Sequence, residues 1–401
     1  MFYACRWLLP IDRPPIEHAW IEVQSGLIRR FGSGAPPAPA VDLGDVAILP
    51  GLVNAHTHLE LSWMAGLVPP AASMDEWIGT LMRVRRAGVS GGPDAEVAAA
   101  RRAASTMRAS GTVLVGDISN TLVSAPALVE AGMGGVVFHE LLGFNAVEPA
   151  LLVAEALNRV TSVRALLSSA GAAIRFAIAA HAPYSVSPGL FREIAARRTA
   201  GPLTVHLGES IEEIEFLRAG TGPIRTLLET LGVWNSSWVV PRMSPVDYLA
   251  SVGYLQPGLL AVHAVHLRDD ELDRLRASGA TVVTCPRSNM WVGAGMPRLS
   301  HFYASGVPVA IGTDSLASVG TLNMFDELAE MRRIAPEVTA ATLLESATRV
   351  GAEALGFGAT HGTIAPGKAA ALIRVDVTAG ITDVEEYLVS GVPADAVRHL
   401  L

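Results

Sequence analysis

Histidines and carboxylates fall together in three short motifs of this sequence. The motifs are HTHLE, which contains His56 and His58, HLGE, which contains His206 and Glu209, and GTDS, which contains Asp314. Alternate residues of a β-strand point to the same side, so His56 and His58 can converge on one ion. His206 and Asp314 would complete a set of three histidines and one aspartate, which are ligands that divalent cations accept. The sequence therefore predicts a metal site.

Ordinary structural roles compete with this interpretation. An HTH pair alone is weak evidence, because 11 histidines in 401 residues produce such a spacing by chance at an appreciable rate. His206 could be a hydrogen-bonded core histidine, and Asp314 could be a helix N-cap. Glu209 lies three residues after His206, and this spacing favours a metal site over a core histidine. In the motif HAVHL, we expect His263, which lies at the strand end, to face the metal site. We expect His266 to have a structural role.

Eight short apolar runs carry these motifs at their ends, with helix-forming segments between them. The runs are 46–56, 112–119, 135–143, 175–184, 203–210, 259–267, 281–289 and 307–315. Apolar strands alternating with helices predict an α/β fold, here a (β/α)8 TIM barrel over 46–354 with its catalytic groups at the carboxyl ends of the strands. Short strand patterns at both termini, 1–45 and 355–401, predict a small β-sandwich domain.

Composition limits the classes of partner. The chain is 50% hydrophobic and 17% charged, which is ample for a core and excludes general disorder. A net charge of −8 argues against nucleic acid and anionic membranes, and no run is long enough for a membrane span. The two cysteines, Cys5 and Cys285, form no disulfide framework. The first residues lack a basic segment before an apolar run, so we expect no signal peptide and a cytoplasmic protein.

The ordered motifs PGLVNAHTHLELS, HAPYSVS, HLGES, LLAVHAVHL, CPRSN, GTDS and GTIAPGK resemble the amidohydrolase superfamily, in its cytosine, guanine and adenosine-type deaminase and chlorohydrolase branch. The resemblance extends over nearly the whole chain. It implies that the metal ligands are His56, His58, His206 and Asp314. It also implies that Glu209 is a proton shuttle and that His263 and Asp314 orient the reacting water.

The lysine count bears on the number of ions. Binuclear members of this superfamily carry a carboxylated lysine at the end of the fourth strand, where this sequence has His181. Its one lysine, Lys368, lies beyond the predicted barrel. We therefore expect one divalent ion, either zinc or iron(II). The usual GKxADL ending of the family is altered here to GKAAAL, which affects the terminal domain rather than the site.

The expected substrate is a small molecule, a purine nucleoside or a related heterocycle, and the family also contains homodimers. HTHLELS is most similar to the branch that deaminates aminodeoxyfutalosine, a benzoate-bearing adenine nucleoside of menaquinone biosynthesis. Candidate substrate-binding residues are Glu60, His181, Glu140, Arg287, Ser288 and Arg83. Glu60 could instead form a loop salt bridge and His181 could be a core residue. The segment 74–86 predicts an amphipathic helix over the barrel mouth, whose arginines either face solvent or bind a substrate carboxylate.

Three alternatives stay open at this point. The first is deamination of adenosine, methylthioadenosine or S-adenosylhomocysteine. The second is another hydrolysis on the same machinery, either dechlorination of a triazine or opening of a cyclic amide. The third is a non-enzymatic metal-binding barrel, which the presence of Glu209 and His263 beside every ligand disfavours, because a structural metal needs closed ligation and no proton shuttle.

Overall fold

Strands and helices alternate through most of the chain in the computed structural model, which describes residues 1–167, 173–198 and 201–401. The strands are β1 Phe2–Leu8, β2 Ile16–Gln24, β3 Leu27–Ser33, β4 Ala40–Asp42, β5 Val46–Pro50, β6 Leu52–Thr57, β7 Thr112–Ser119, β8 Gly134–Leu141, β9 Ile174–Ala180, β10 Leu203–Leu207, β11 Leu259–His263, β12 Thr281–Thr284, β13 Val309–Ile311, β14 Leu372–Asp376 and β15 Val397–His399. The α-helices are α1 Met74–Ala87, α2 Pro93–Ala109, α3 Ser124–Glu130, α4 Pro149–Leu167, α5 Pro188–Ala196, α6 Ile211–Ala219, α7 Pro223–Thr230, α8 Pro245–Ser251, α9 Asp269–Ser278, α10 Pro286–Trp291, α11 Leu299–Ser305, α12 Met324–Ile334, α13 Ala340–Glu345, α14 Gly351–Ala354 and α15 Val384–Val389. Leu59–Met64 and Ala394–Ala396 form 3-10 turns, and Ser346–Val350 forms a π turn.

Two four-stranded parallel sheets occupy the middle of the chain, in the orders β6-β7-β8-β9 and β10-β11-β12-β13. Their strands are almost entirely buried, as apolar strands covered by helices require. The two sheets approach each other at both outer edges. At one edge the His206 amide donates to the His181 carbonyl at 2.9 Å, and at the other the Asp314 amide donates to the His56 carbonyl at 3.0 Å. The expected α/β fold with parallel strands is confirmed.

A mixed seven-stranded sheet joins the two ends of the chain. Its order is β15-β14-β5-β1-β2-β3, and β4 pairs with β1. Near the N-terminus β2 and β3 form an antiparallel hairpin, and β14 lies in the C-terminal segment. β14 pairs antiparallel with β5 rather than with the hairpin. Strands from both termini therefore share one sheet.

The predicted first barrel strand, 46–56, is two strands in the structure. β5 belongs to the terminal sheet and β6 to the parallel sheet, with Gly51 between them. A Cβ atom on Gly51 would lie 2.2 Å from Cγ1 of Val113, so only glycine fits where the chain crosses from one sheet to the other. The continuous hydrophobic pattern hid this break because both strands are fully buried.

Helix starts follow local sequence signals. Ser187 caps α5 by accepting from the Leu190 amide, and Pro188 occupies the first helical position. Asn323 caps α12 by accepting from the Phe325 amide. Across the three described stretches of chain, none of the helices has the combined length and apolar character needed to cross a membrane.

Candidate active site

Three strand ends bring the four expected metal ligands together. His56 lies in β6, His58 follows that strand, His206 lies in β10, and Asp314 follows β13. Nε2 of His58 and Oδ1 of Asp314 are 3.6 Å apart, and Nε2 of His56 is 3.9 Å from the same oxygen. The ring centroids of His56 and His206 are 5.0 Å apart. One cation could contact all four side chains.

The protonation states of the imidazoles suit ligation. His56 is completely buried, and neither of its ring nitrogens has a hydrogen-bond partner. Such orphaned buried nitrogens are costly unless a ligand completes them, so His56 fits a cation site. Nδ1 of His206 donates to the His181 carbonyl at 2.9 Å, which leaves Nε2 with its lone pair. Burial lowers the pKa of His206 to about 3 and keeps the ring neutral.

Asp314 is fixed from two sides. Its Oδ2 accepts from the hydroxyls of Ser288 at 2.6 Å and Ser318 at 3.1 Å, which leaves Oδ1 toward the histidines. Burial alone would raise the pKa of Asp314, but the nearby rings of His58 and His263 outweigh it and hold the pKa below its usual value. Its backbone has φ +61°, a left-handed conformation that costs about 1–3 kcal/mol and is typical of functional sites.

His263 and Glu209 form a second pair beside the ligands. Nε2 of His263 lies 3.4 Å from Oε1 of Glu209, and Nδ1 donates to Oδ1 of Asn289 at 2.8 Å. His263 ends β11 with φ +74°. Burial lowers the pKa of His263 to about 4, and it raises the pKa of Glu209 well above its usual value, helped by the charge of Asp314. A carboxyl group with a raised pKa can both take and deliver a proton near neutral pH.

Glu140 and His181 form one side wall. Oε1 of Glu140 is 3.7 Å from Nδ1 of His206, and its Oε2 accepts from Asn120 at 3.0 Å. Nδ1 of His181 lies 2.6 Å from the Ser185 hydroxyl, and burial lowers the pKa of His181 to about 3. Both side chains line the cavity.

Four of the candidate substrate-binding residues are not among the cavity-lining side chains, namely Glu60, Arg83, Arg287 and Ser288, and the last of these donates to Asp314 instead. Glu60 is buried and accepts hydrogen bonds from the loop after β7, from Ser119 at 2.7 Å and from the Thr121 hydroxyl at 2.7 Å. Arg83 lies on the exposed side of α1 and donates to Thr80 at 2.9 Å. Arg287 turns toward α12, where Nη1 donates to Thr321 and lies 3.6 Å from Glu327. Their substrate-binding roles stay predictions that no contact in the structure supports.

A cavity of about 500 Å³ opens above the four ligands. Besides the polar base it is lined by apolar side chains from α1 and from the segment around α7, namely Met74, Trp77, Ile78, Leu81, Met82, Leu227, Leu228, Leu231 and Val233. The helix expected over 74–86 is confirmed as Met74–Ala87, and it covers this cavity. Arg85 is the one arginine in the described lining, which has no lysine. It donates to Asn120 at 3.4 Å and is otherwise exposed.

Of the residues of CPRSN, the sequence predicts Arg287 and Ser288 at the site. Ser288 contacts Asp314 as described, but Asn289 is the residue that holds His263. Arg85 was not selected either. For both Asn289 and Arg85, the question is which residue of a motif faces the site. This depends on the position of each residue around the helix axis.

Comparisons with known proteins show the family to which this chain belongs. The model of the amidohydrolase family matches residues 47–397. Aminodeoxyfutalosine deaminase of Deinococcus radiodurans is 31% identical over 337 residues, which cover 80% of this chain and 76% of that protein. The 5-methylthioadenosine/S-adenosylhomocysteine deaminase of Syntrophobacter fumaroxidans is 32% identical over 367 residues, which cover 88% and 77%. The crystal structure of an adenosine deaminase from Xanthomonas campestris with bound zinc superposes with a TM-score of 0.80 at 26% identity, covering 99% of this chain and 90% of that one. The chain belongs to the amidohydrolase family, as a hydrolytic enzyme of its deaminase branch.

Proposed function

We propose that this protein removes the exocyclic amino group of an adenine nucleoside by hydrolysis and that aminodeoxyfutalosine is its preferred substrate. The observation that carries the reaction is a pair of possible ligand clusters that share His56, one with His58 and Asp314 and the other with His206 and His263. Glu209 lies beside His263. The names of the relatives support the substrate class, since each deaminates an adenine nucleoside or is named for doing so.

One divalent ion, zinc or iron(II), would be held by the four converging side chains. When bound, it would lower the pKa of a water molecule and so supply the nucleophile. The orphaned nitrogens of His56 and the free Oδ1 of Asp314 fit such an ion. The zinc in the related adenosine deaminase structure favours zinc. We also keep the expectation of a single ion, because Lys368 donates to the carbonyls of Gly358 and His361 and cannot bridge two metals.

Glu209 performs the proton transfers in this proposal. Its raised pKa, which burial causes first and the charge of Asp314 second, allows it to accept a proton from water and pass it to a ring nitrogen of the purine. Protonation there makes the attacked carbon more electrophilic. His263, held by Asn289, keeps Nε2 on the side of Glu209 and orients the reacting groups. The amino group then leaves as ammonia.

The barrel architecture belongs to the same proposal. The hydrogen bonds between β9 and β10 and between β6 and β13 support closure of the two parallel sheets into one (β/α)8 barrel. The terminal strands would form the β-sandwich expected for this family. The sequence predicts a barrel over 46–354 and a smaller domain of 1–45 with 355–401. Because β5 pairs with β14 in the terminal sheet, we place the first boundary at Gly51 instead.

Arg85 supports the choice of aminodeoxyfutalosine. The benzoate of that nucleoside presents an aromatic ring and a carboxylate, and the cavity presents an apolar wall with one guanidinium group. The long, weak contact of Arg85 with Asn120 leaves the guanidinium free to turn toward a carboxylate and bind it through two nitrogens. Adenosine lacks a carboxylate, so it would not use this residue. S-adenosylhomocysteine carries one and is the second candidate on the same observation.

The test combines metal analysis with ammonia release from aminodeoxyfutalosine, S-adenosylhomocysteine and adenosine. We expect about one ion per chain and the highest kcat/KM for aminodeoxyfutalosine. Arg85→Gln should lower kcat/KM for the two carboxylate substrates about 5- to 30-fold, since a hydrogen bond to a charged group contributes about 1.5–3 kcal/mol and the exposure of Arg85 reduces this. Adenosine turnover should not change, and Arg86→Gln, one residue along on the exposed side, is the matched control. Ammonia release from none of these compounds would reject the proposed function.

A further inference from the structure

Glu213 is a completely buried carboxylate that the proposed chemistry does not use. It lies in α6, the helix that follows the HLGES motif. Its Oε1 accepts from the Gly208 amide at 3.0 Å and its Oε2 accepts from the Glu209 amide at 3.2 Å. Each oxygen therefore holds one of the two peptide groups that carry Glu209 into the site.

This arrangement differs from an ordinary helix cap. Ser210 is the N-cap residue of α6, and its hydroxyl accepts from the Glu213 amide, as a capping serine does. In the usual capping box the glutamate at the third helical position returns to the amide of the N-cap residue itself. Glu213 occupies that position but passes Ser210 and binds the two amides before it. Its side chain is thus aimed at the turn that bears Glu209 rather than at the helix start.

The turn is also held by the His266 amide, which donates to the Gly208 carbonyl at 2.9 Å, but this bond leaves the Gly208 and Glu209 amides to Glu213. Gly208 has φ +59°, and a Cβ atom there would lie 2.4 Å from Cδ2 of Leu267. Only glycine fits this position, and glycine has no side chain that could hold the turn. No arginine or lysine pairs with Glu213 among the residues that the structure describes. Burial raises the pKa of Glu213 to about 8, while its two amide donors lower it by favouring the ionised form, in which both oxygens are acceptors. A carboxyl group is buried at this cost where its two acceptors are needed.

We propose that Glu213 is a positioning residue for the deamination, which fixes the backbone of Glu209 so that its carboxylate lies beside Nε2 of His263. This inference rests on the proposed function. The 3.4 Å separation of Oε1 of Glu209 from that nitrogen depends on the orientation of the Glu209 peptide. Glu213 is neither one of the expected ligands nor a cavity-lining residue, and it reaches the site through its hydrogen bond with the Glu209 amide.

The direct test is Glu213→Gln in the metal-loaded enzyme. An amide group has one acceptor oxygen, and its NH2 group would meet the second backbone N–H as donor against donor. We expect kcat to fall about 10- to 100-fold, as for a catalytic group displaced by a fraction of an ångström, with KM within about twofold of wild type and metal content unchanged. Glu215→Gln, an exposed carboxylate on the same helix, is the matched control and should keep kcat. Glu213→Asp, which retains the charge but shortens the reach, replaces Glu213→Gln if that variant does not fold.

A double-variant comparison separates positioning from general stability. If Glu213 works through Glu209, then adding Glu213→Gln to Glu209→Gln should lower the residual kcat by no more than about twofold. A full additional loss in the double variant, or a kcat for Glu213→Gln equal to that of Glu215→Gln, would overturn the inference. The failure of wild-type protein to release ammonia from any of the three nucleosides would instead reject the proposed function, so the two failures are distinguishable.

Discussion

Replacing Glu209 by glutamine isolates proton transfer from metal binding. The side chain is nearly isosteric, is buried at 5% exposure, and lies next to His263 rather than among the four converging ligands. Glutamine can neither take a proton from water nor deliver one to the purine. General acid–base catalysis contributes about 10²–10⁴-fold, so we expect kcat to fall by that factor, which corresponds to about 2.7–5.4 kcal/mol in the barrier.

Measurements of stability and metal content should show that the fall in kcat comes from the lost proton transfer, and not from unfolding or loss of the ion. Because burial raises the pKa of Glu209, the folded metal-free protein favours the protonated form, and ionisation destabilises the fold as the pH rises toward that raised pKa. Glutamine removes this penalty, so the metal-free variant should melt no lower than wild type and gain relative stability with increasing pH. The assays are steady-state ammonia release, thermal melting across pH and metal analysis. A variant with a kcat within about tenfold of wild type would refute the role of Glu209, and a metal-free Glu209→Gln would place it among the ligands instead.

Two further substitutions test the supports of the site and of the fold. Asn289→Ala removes the acceptor that orients His263 and should lower kcat about 10- to 100-fold while metal content stays constant, as measured by turnover and metal analysis; unchanged kcat would contradict that role. Gly51→Ala would place a methyl group 2.2 Å from Cγ1 of Val113 and should destabilise the protein by about 1–3 kcal/mol in thermal or denaturant unfolding. Gly79→Ala in α1, where a Cβ atom meets nothing within 4 Å, should be neutral or stabilising and serves as its control.

Strand positions could be predicted from the sequence because burial on both faces leaves a continuous apolar run. The run 112–119 coincides with β7, and the other runs begin within a few residues of their strands. Their predicted ends are too late, since 203–210 and 259–267 include the turns after β10 and β11. These turns are where the polar motifs lie, and composition does not show where hydrogen bonding between strands stops.

The split at Gly51 shows a second limit of the sequence. A glycine within an apolar run usually indicates a bulge or a close approach, and here the residue that approaches is Val113, from a strand 62 positions away along the chain. The change of sheet is a tertiary event, decided by β14 arriving from the far end of the chain to pair with β5. Local pattern cannot contain that information.

Arg85 is the case in which the sequence did contain the signal. The residues of α1 that line the cavity are Met74, Trp77, Ile78, Leu81, Met82 and Arg85. These residues are spaced three and four apart, so they form a stripe along one face of the helix. Arg83 and Arg86 lie outside this stripe. Once the apolar members of the stripe are assigned to the cavity, the helical period alone places Arg85 toward the cavity. Arg85 would therefore bind a substrate carboxylate from the same face of α1 that shields the reacting carbon from water. Substrate specificity and the exclusion of water would then depend on one helix.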